Sequence, residues 1–440
     1  MAADDERDGR QDVSGVSRDT IFALSSGQPP AAIAVIRISG PRAQAAVSAL
    51  AGKVPAPRRA TFSTLFARDG QVLDNALILW LPGPDNATGE DAAELHLHGG
   101  RSVVAAVNAA LTELPGLRAA EPGEFTRRAY ENGRIDLAEA EGLADLLAAE
   151  TESQRRAALT LAGGALSRRI ADWQEQVLKL AAELEAAIDF ADEGDVIPVG
   201  AGWHNLLRSL HGEIAATLAR PDAERLRDGV RVVIAGPPNA GKSSLLNALI
   251  GREAAIISPI AGTTRDVIEA PVAIDGIPFL FADTAGLRGD SDDPIEEMGI
   301  ARAKGRVAAA DIVLWLGNIS DRPDHPSLVT VSPRCDVIPV DLKADVATSS
   351  LTGAGLATLT AMIAEHARAI LPAETDIAIN WRHRAELKNC CTALEEAQAD
   401  DLILAAESLR VARHALDRIT GRAGVEDMLD ALFGRFCIGK

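Results

Sequence analysis

Apolar positions along the chain fall into successive textures. From Asp19, short apolar runs are separated by Gly and Pro. AAIAVIRISG, NALILWLPGP and AAELHLHGG have the length and spacing of strands, and RSVVAAVNAALTEL between turns has that of a helix. This small α/β region ends near Arg134. In the helical stretch that follows, Ile170, Trp173, Val177, Leu180, Leu184 and Ile188 step by three or four, which puts one apolar stripe on a single face. The acidic DFADEGD run and Pro198 break the pattern, and helical texture resumes over 203–227. VRVVIAG then opens an alternation of apolar strands and amphipathic helices to about residue 370, the signature of a parallel sheet. Helical texture returns from Ala385 to the C-terminus.

The expected fold is therefore α/β plus all-α: a small N-terminal α/β domain, a helical domain, and a doubly wound domain inserted into the helical one. In residue numbers the division is a polar, disordered tail at 1–18, an N-terminal domain at 19–134, helical parts at 135–228 and 372–440, and the insertion at 229–371. No internal repeat is visible.

A chain of 440 residues with 47% hydrophobic content can bury several cores, which excludes wholesale disorder. No apolar run approaches the ~18–20 residues of a bilayer span, and the acidic start MAADDERDGRQ is unlike a signal peptide, so a cytoplasmic protein without a membrane partner is expected. Cys335, Cys390, Cys391 and Cys437 have no CxxC spacing, which points to neither a disulfide framework nor a thiolate zinc site. Cys390 and Cys391 sit within a helical pattern as core residues. A formal net charge of −19 disfavours simple electrostatic binding of nucleic acid. Local clusters such as Arg127-Arg128 and Arg382-His383-Arg384, or a partner protein, would have to supply such contacts.

The strongest chemical signal is Gly236-Pro-Pro-Asn-Ala-Gly241-Lys242-Ser243, which fits GxxxxGK[ST] between an apolar strand and the helical SSLLNALIG. Its backbone N–H groups would face phosphate oxygens, Lys242 would reach the β- and γ-phosphates, and Ser243 would bind Mg²⁺. Downstream, Asp283-Thr284-Ala285-Gly286 follows the IPFLFA strand; a carboxylate there can serve Mg²⁺ through water and the Gly286 N–H can meet the γ-phosphate. Between them, Gly262-Thr263-Thr264-Arg265-Asp266 offers a hydroxyl to the metal. For the base, Leu342-Lys343-Ala344-Asp345 after DVIPV is read as a variant of Asn-Lys-x-Asp. Asp345 would accept from guanine N1 and N2, Leu342 would forfeit one amide contact and weaken affinity, and Ser349-Ser350-Leu351 would meet the guanine O6. Leu287 stands after DTAG where a water-orienting Gln is common. Another polar group must then orient water, with Glu296, Glu297 and Asn239 as candidates.

These residues carry a resemblance. GPPNAGKSSLLNALIGREAAIISPIAGTTRDVIE, DTAGLR, the terminal Phe436-Cys437-Ile438-Gly439-Lys440, DTIFALSSGQPPAAIAVIRISGPRA and PGEFTRRAYENGRIDLAEAEGLADLL closely resemble the MnmE (TrmE) tRNA-modification GTPases, from Asp19 to Lys440. The resemblance implies a Ras-like G domain inserted in a helical domain and a homodimer joined through N-terminal domains similar to folate-binding modules. It implies work with the FAD protein MnmG on tRNA, installing a carboxymethylaminomethyl-type group at C5 of the wobble uridine (position 34) from a tetrahydrofolate one-carbon unit, 5-formyl or 5,10-methylene. It also implies K⁺ in place of an arginine finger, held by Asn239, Ser258, Ile260 and Thr263, with Mg²⁺ on Ser243 and Thr264.

By the same resemblance, GTP contacts run through Ala240, Gly241, Lys242, Ser243 and Ser244, through Ser258, Pro259, Ile260, Ala261, Gly262, Thr263 and Thr264, and through Asp283 to Gly286. Glu296, in Glu296-Glu297-Met298-Gly299-Ile300, orients the attacking water. Folate maps onto Arg37, Glu94, Arg134 and Lys440, with Arg134 where the family usually has Lys. Glu94, His96 and His98 share one strand face; a polar wall of a small-molecule cleft is preferred to a metal site, because no neighbouring residue supplies the further ligand and base of a zinc centre. Cys437 stays open between a catalytic and a packed thiol. A GTP-dependent RNA-binding or ribosome-assembly switch without modifying activity is the alternative reading. A dead scaffold conflicts with Lys242, Ser243 and Asp283.

Overall fold

The computed structural model describes residues 19–191, 200–252, 254–255, 269–283, 305–373, 375–399, 401–423 and 426–440. They form two compact units, one from the described residues of 1–136 and 425–440, the other from those of 137–424.

The first unit is built on a six-stranded sheet in the order β3-β4-β5-β2-β1-β6. Its strands are β1 (Thr20–Leu24), β2 (Ile33–Ser39), β3 (Thr61–Phe66), β4 (Val72–Leu81), β5 (Ala92–His98) and β6 (Leu117–Ala119). All neighbours are antiparallel except β1 and β6. Alternation fixes the faces: Ala34, Ile36 and Ile38 of β2 and Leu95 and Leu97 of β5 are buried, with helices α1 (Ala43–Ala51) and α2 (Arg101–Thr112) adding Val47, Leu50, Val107 and Leu111 to the same core. Helix α3 (Glu124–Glu131) is tied to the sheet by a buried charge network. Arg128 donates to Glu90 at 3.0 Å and to Glu124 at 3.0 Å, and Ser39 donates to Glu90 at 2.9 Å.

The last residues of the chain belong to this unit. Gly123, at φ 69°, leaves room for the carbonyl of Phe433; a Cβ there would stand 2.3 Å from it. Pro122 and Ile438 form an antiparallel bridge, and Ser25 Oγ donates to the Gly439 carbonyl at 2.8 Å. Gly439 lies at φ 97°, and a Cβ would stand 2.1 Å from the carbonyl oxygen of Leu24. Residues 426–440 therefore group with the N-terminal strands, whereas the sequence pattern assigned them to the second helical part.

The second unit has two cores. In the first, α6 (Ala165–Ala191) buries the expected stripe of Ile170, Trp173, Val177, Leu180 and Leu184 against α7 (Ala201–Leu218), α11 (Trp381–Glu396) and α12 (Leu402–Thr420). The texture expected over 203–227 is two helices, α7 and the short α8 (Glu224–Asp228). Cys390 and Cys391 are buried here, and burial pushes their thiols up to about 12 and about 11.

The second core fills a seven-stranded sheet ordered β13-β12-β11-β7-β10-β9-β8. Its strands are β7 (Val230–Ala235), β8 (Ala254–Ala255), β9 (Glu269–Ile274), β10 (Ile277–Asp283), β11 (Ile312–Trp315), β12 (Leu328–Pro333) and β13 (Val346–Thr348), with helices α9 (Lys242–Arg252) and α10 (Leu356–Ile370). β13, β12, β11, β7 and β10 are parallel, as the apolar runs predict, and β9 folds back antiparallel on β10. The two connections between these cores run side by side: Ala223 N–H donates to the Ile379 carbonyl at 3.2 Å, and Arg220 pairs with Asp376 at 2.7 Å.

Where the chain re-enters the bundle, Asn380 caps α11 in a box closed by His383. His383 Nδ1 accepts the Asn380 N–H at 3.3 Å, so its hydrogen sits on Nε2, 2.7 Å from Glu141 Oε2. Glu141, on α4 (Leu137–Ala148), also accepts from Arg382 Nε and Nη2 at 2.8 and 2.9 Å. Arg382 in turn donates to the carbonyls of Arg418 and Ile419 at the end of α12. Burial opposes ionisation of Glu141, but the bonds from His383 and Arg382 outweigh it and hold the carboxyl down at about 2. Among the described residues no helix is long and apolar enough to cross a membrane.

Candidate functional site

The loop between β7 and α9 is shaped by its unusual backbone. Gly236 takes φ 149°, Asn239 φ 61° and Gly241 φ 94°, three positive values within six residues. A Cβ at Gly236 would sit 3.1 Å from the backbone of Leu316, so the strand-to-loop turn needs glycine. The loop delivers Lys242 at the first position of α9, where the helix dipole favours an anion. Lys242 is buried, and its ammonium donates to the carbonyls of Gly236 and Pro237 at 3.0 and 2.8 Å, across the loop. Ala240, Ser243 and Ser244 continue the same curl into the helix. The cradle fits a polyphosphate: it offers donors and one buried cation.

Asp283 is the last residue of β10, paired with Ile234 of β7, which brings its backbone to the P-loop edge of the sheet. Ser258 to Thr264, Thr284 to Gly286, Leu287, Glu296 and Glu297 lie outside the described residues, so the expected K⁺, Mg²⁺ and water contacts on them remain readings of the sequence.

The base edge differs from expectation. In a parallel sheet, the residues that follow β12 and β13 lie beside the P-loop, and those that precede them lie at the other end. Ser349, Ser350 and Leu351 follow β13 and satisfy this. Ser349 is fully buried, and its hydroxyl accepts the Thr352 N–H at 3.1 Å. Leu342, Lys343 and Asp345 instead precede β13, and the last of them, Asp345, is about 13 Å of strand before Ser349 at ~3.3 Å per residue. Asp345 is engaged structurally: its Oδ2 accepts the N–H and the hydroxyl of Thr330 on β12 at 2.8 and 2.6 Å. Leu342, 94% exposed, lies in the same segment before β13, at the end of the sheet away from the P-loop.

The DVIPV segment taken as the preceding strand is irregular, with Val337 74% exposed. The strand is β12, ending in Ser332-Pro333, and the turn directly after it is Arg334-Cys335-Asp336. Arg334, at φ 56°, donates from Nη2 to the Asn239 carbonyl of the P-loop at 3.2 Å, and the Cys335 N–H donates to the Thr348 carbonyl at 3.0 Å. This turn thus touches both the P-loop and the end of β13, and Asp336 within it is exposed. The signal was present in the sequence: SLVTVSP is a β-branched apolar run of strand length, and a turn with a basic residue and an Asp follows it.

In the N-terminal unit, Arg37 and Glu94 are register partners on β2 and β5. Arg37 Nε and Nη2 donate to Glu94 Oε1 at 3.2 and 3.1 Å, and the guanidinium lies 5.7 Å over the Phe125 ring. Glu94 Oε2 is 3.3 Å from His96 Nε2, while His98 Nδ1 turns to Asp74 at 2.7 Å. The three-residue face is thus split into two pairs, and among the described residues no group of three His, Cys, Asp or Glu could hold a metal. Arg134 stands on a neighbouring loop, 3.7 Å from Asp85 and packed over Gly89. Lys440 is carried by the docked tail, its N–H bonded to the Cys437 carbonyl at 3.2 Å. Gly439 abuts Leu24, next in β1 to Ala23, the register partner of Arg37. Cys437 is exposed.

A Ras-like parallel sheet with a P-loop after its first strand, inserted through two adjacent connections into a helical bundle, defines a P-loop nucleotide-binding protein of composite architecture. Family models match "GTP-binding protein TrmE N-terminus" over residues 20–134 and "MnmE helical domain" over 137–437. The chain is 59% identical over 427 residues to tRNA modification GTPase MnmE of Rhizorhabdus wittichii, covering 96% of this chain and 97% of that protein. It is 55% identical to the MnmE of Erythrobacter litoralis and 56% identical to that of Novosphingobium aromaticivorans, each covering 96% of this chain and 100% of the relative. The chain belongs to the MnmE (TrmE) family of tRNA modification GTPases.

Proposed function

We propose that this chain is the potassium-dependent GTPase of a tRNA-modifying complex, acting in the cytoplasm with an MnmG-like FAD protein on C5 of the wobble uridine. The observation that carries the GTPase reading is the P-loop with its buried Lys242, in a chain 59% identical to a tRNA modification GTPase. Lys242 and the loop N–H groups bind and orient the triphosphate, and Ser243, Thr264 and Asp283 are the residues that would hold Mg²⁺. Asn239, Ser258, Ile260 and Thr263 are those that would hold K⁺, whose charge offsets the negative charge developing on the phosphates. Glu296 orients water in place of the absent Gln. The base reader is Asp336 rather than Asp345: an exposed carboxylate in the turn tied to the P-loop fits guanine N1–H and N2–H.

In the N-terminal domain, Arg37 and Glu94 face a folate with a cation and an acceptor already paired side by side. The docked tail brings Lys440 to the same unit, which supports its inclusion; Arg134 would join from the adjacent loop. A tetrahydrofolate derivative bound there supplies the one-carbon unit. Homodimerisation through the N-terminal domains completes the reading, with divisions at 18, 134, 228 and 371 and the last residues, 426–440, grouped with the N-terminal strands. GTP hydrolysis compared in K⁺ and Na⁺ at matched ionic strength tests its first step. Turnover in K⁺ well above that in Na⁺ is expected, and equal turnover would remove potassium from the mechanism.

A further inference from the structure

Helix α5 (Glu152–Ala162) is shared by both cores of the second unit: Leu161 lies in the helical core, and Ala157 packs against the core of the nucleotide domain. Its start is fixed by a capping box, in which Thr151 and Gln154 satisfy each other's backbone N–H groups. The amide of Gln154 donates onward to the Arg227 carbonyl, just before β7, at 3.1 Å. One further donor of this first turn leaves the helix altogether. Ser153 N–H donates to the carbonyl of Gly276 at 3.1 Å.

Gly276 is in the two-residue tip, Asp275-Gly276, of the β9–β10 hairpin. Its φ values of 51° and 74° are those of the tight turn that Asp-Gly favours. A second contact on the same tip is the ion pair of Asp275 with Arg368 of α10. From this tip β9 and β10 pair without interruption from Ile274 and Ile277 to Glu269 and Ala282. The strand that ends at Asp283 thus begins, about 20 Å away by strand rise, at a turn held by a helix of the bundle. Beneath α5 lies a cavity of about 90 Å³, lined among others by Ala148, Ala158, Leu226, Arg227 and Asn380. The hydrogen bond that α5 makes to the tip is the one from the Ser153 N–H to the Gly276 carbonyl.

We propose that Ser153, through its backbone N–H to Gly276, and Arg368, through Asp275, are positioning residues for GTP hydrolysis: they fix the hairpin that delivers Asp283, and so make turnover depend on where the helical bundle holds α5. This rests on the GTPase reading and adds to it the route from the bundle to the phosphate site.

Ser153→Pro deletes the donor in the first turn of α5, one position after the one that proline favours, and Ser153→Ala keeps it. In the full chain, Ser153→Pro is expected to lower kcat at least three-fold with KM within two-fold, Ser153→Ala to match wild type, and Arg368→Ala to lower kcat in the same way. Wild-type kcat in both Ser153→Pro and Arg368→Ala overturns the proposal, as does a loss of kcat in Ser153→Ala equal to that in Ser153→Pro. If Ser153→Pro does not fold, Arg368→Ala and its kcat decide. An inactive wild-type chain would refute the GTPase reading itself, a result distinct from either.

Discussion

Asp336→Asn and Asp345→Ala should separate cleanly, because only one of these carboxylates stands at the base edge. If Asp336 accepts both guanine N1–H and N2–H, replacing it by an amide exchanges two charged hydrogen bonds for a single neutral acceptor and turns a donor toward a donor of the base. Each charged bond is worth roughly 1.5–3 kcal/mol. Taking a conservative total of about 3 kcal/mol, GTP affinity should fall about a hundred-fold or somewhat more at ~1.4 kcal/mol per decade. The new amide can donate to a base carrying an oxygen at C2, so xanthosine triphosphate should bind the variant better than GTP does. Asp345→Ala should do something else. Thr330 is only 4% exposed, and its N–H and hydroxyl lose their acceptor at 2.8 and 2.6 Å. That predicts a stability loss of about 1–3 kcal/mol with GTP affinity within two-fold of wild type. Calorimetric titration of both nucleotides, with thermal melts of the same preparations, reads both effects. Selective loss of GTP affinity in Asp345→Ala with none in Asp336→Asn would refute the reassignment.

Glu141→Gln should destabilise the helical bundle by about 3 kcal/mol near neutrality, from a carboxyl held at about 2 against the ~4.3 of an unfolded chain. Because the folded value is the lower one, this contribution is complete above the unfolded pKa and is lost as pH falls toward the folded one. Urea melts at stepped pH should show the gap between wild type and variant closing from about pH 5 downward; a constant gap would refute the charge network as its cause. Gly439→Ala should undock the tail, since φ 97° and a 2.1 Å approach to the Leu24 carbonyl leave no room for a Cβ. Protease sensitivity of the last residues should rise and tetrahydrofolate binding fall, with GTP turnover kept; unchanged folate affinity would exclude Lys440 from that site. Glu296→Ala should keep nucleotide binding and lose most turnover while Glu297→Ala stays mild, and the reverse in steady-state kinetics would shift the segment by one residue.

Periodic elements were legible wherever one face is buried. The α6 stripe from Ile170 to Leu184 and the alternation in β2 follow from burial, which the sequence records residue by residue. The P-loop was equally clear, because its glycines and Lys242 answer to local backbone demands. The turn proposed to read the base is hard to recognise for a local reason too. LKAD imitates the familiar tetrapeptide, whereas the discriminating fact is which strand it leaves or enters, and DVIPV has strand-like composition without strand structure. The placement of the C-terminal tail against β1 depends on contacts across almost the whole chain, such as Ser25 with Gly439. No periodicity encodes such a contact, and here only the family resemblance pointed to it. The Glu141, Arg382 and His383 network is hidden for the same reason: Arg382-His383-Arg384 reads as a basic cluster suited to RNA contact, yet Arg382 and His383 are buried.

The central claim is a GTPase whose turnover serves tRNA modification. Its most direct test is mass spectrometry of tRNA nucleosides from cells lacking this gene, complemented with the wild-type chain or with Lys242→Ala. C5-substituted wobble uridine should disappear in the deletion, return with the wild-type chain, and stay absent with Lys242→Ala. Unchanged wobble nucleosides in the deletion strain, or full restoration by Lys242→Ala, would contradict it.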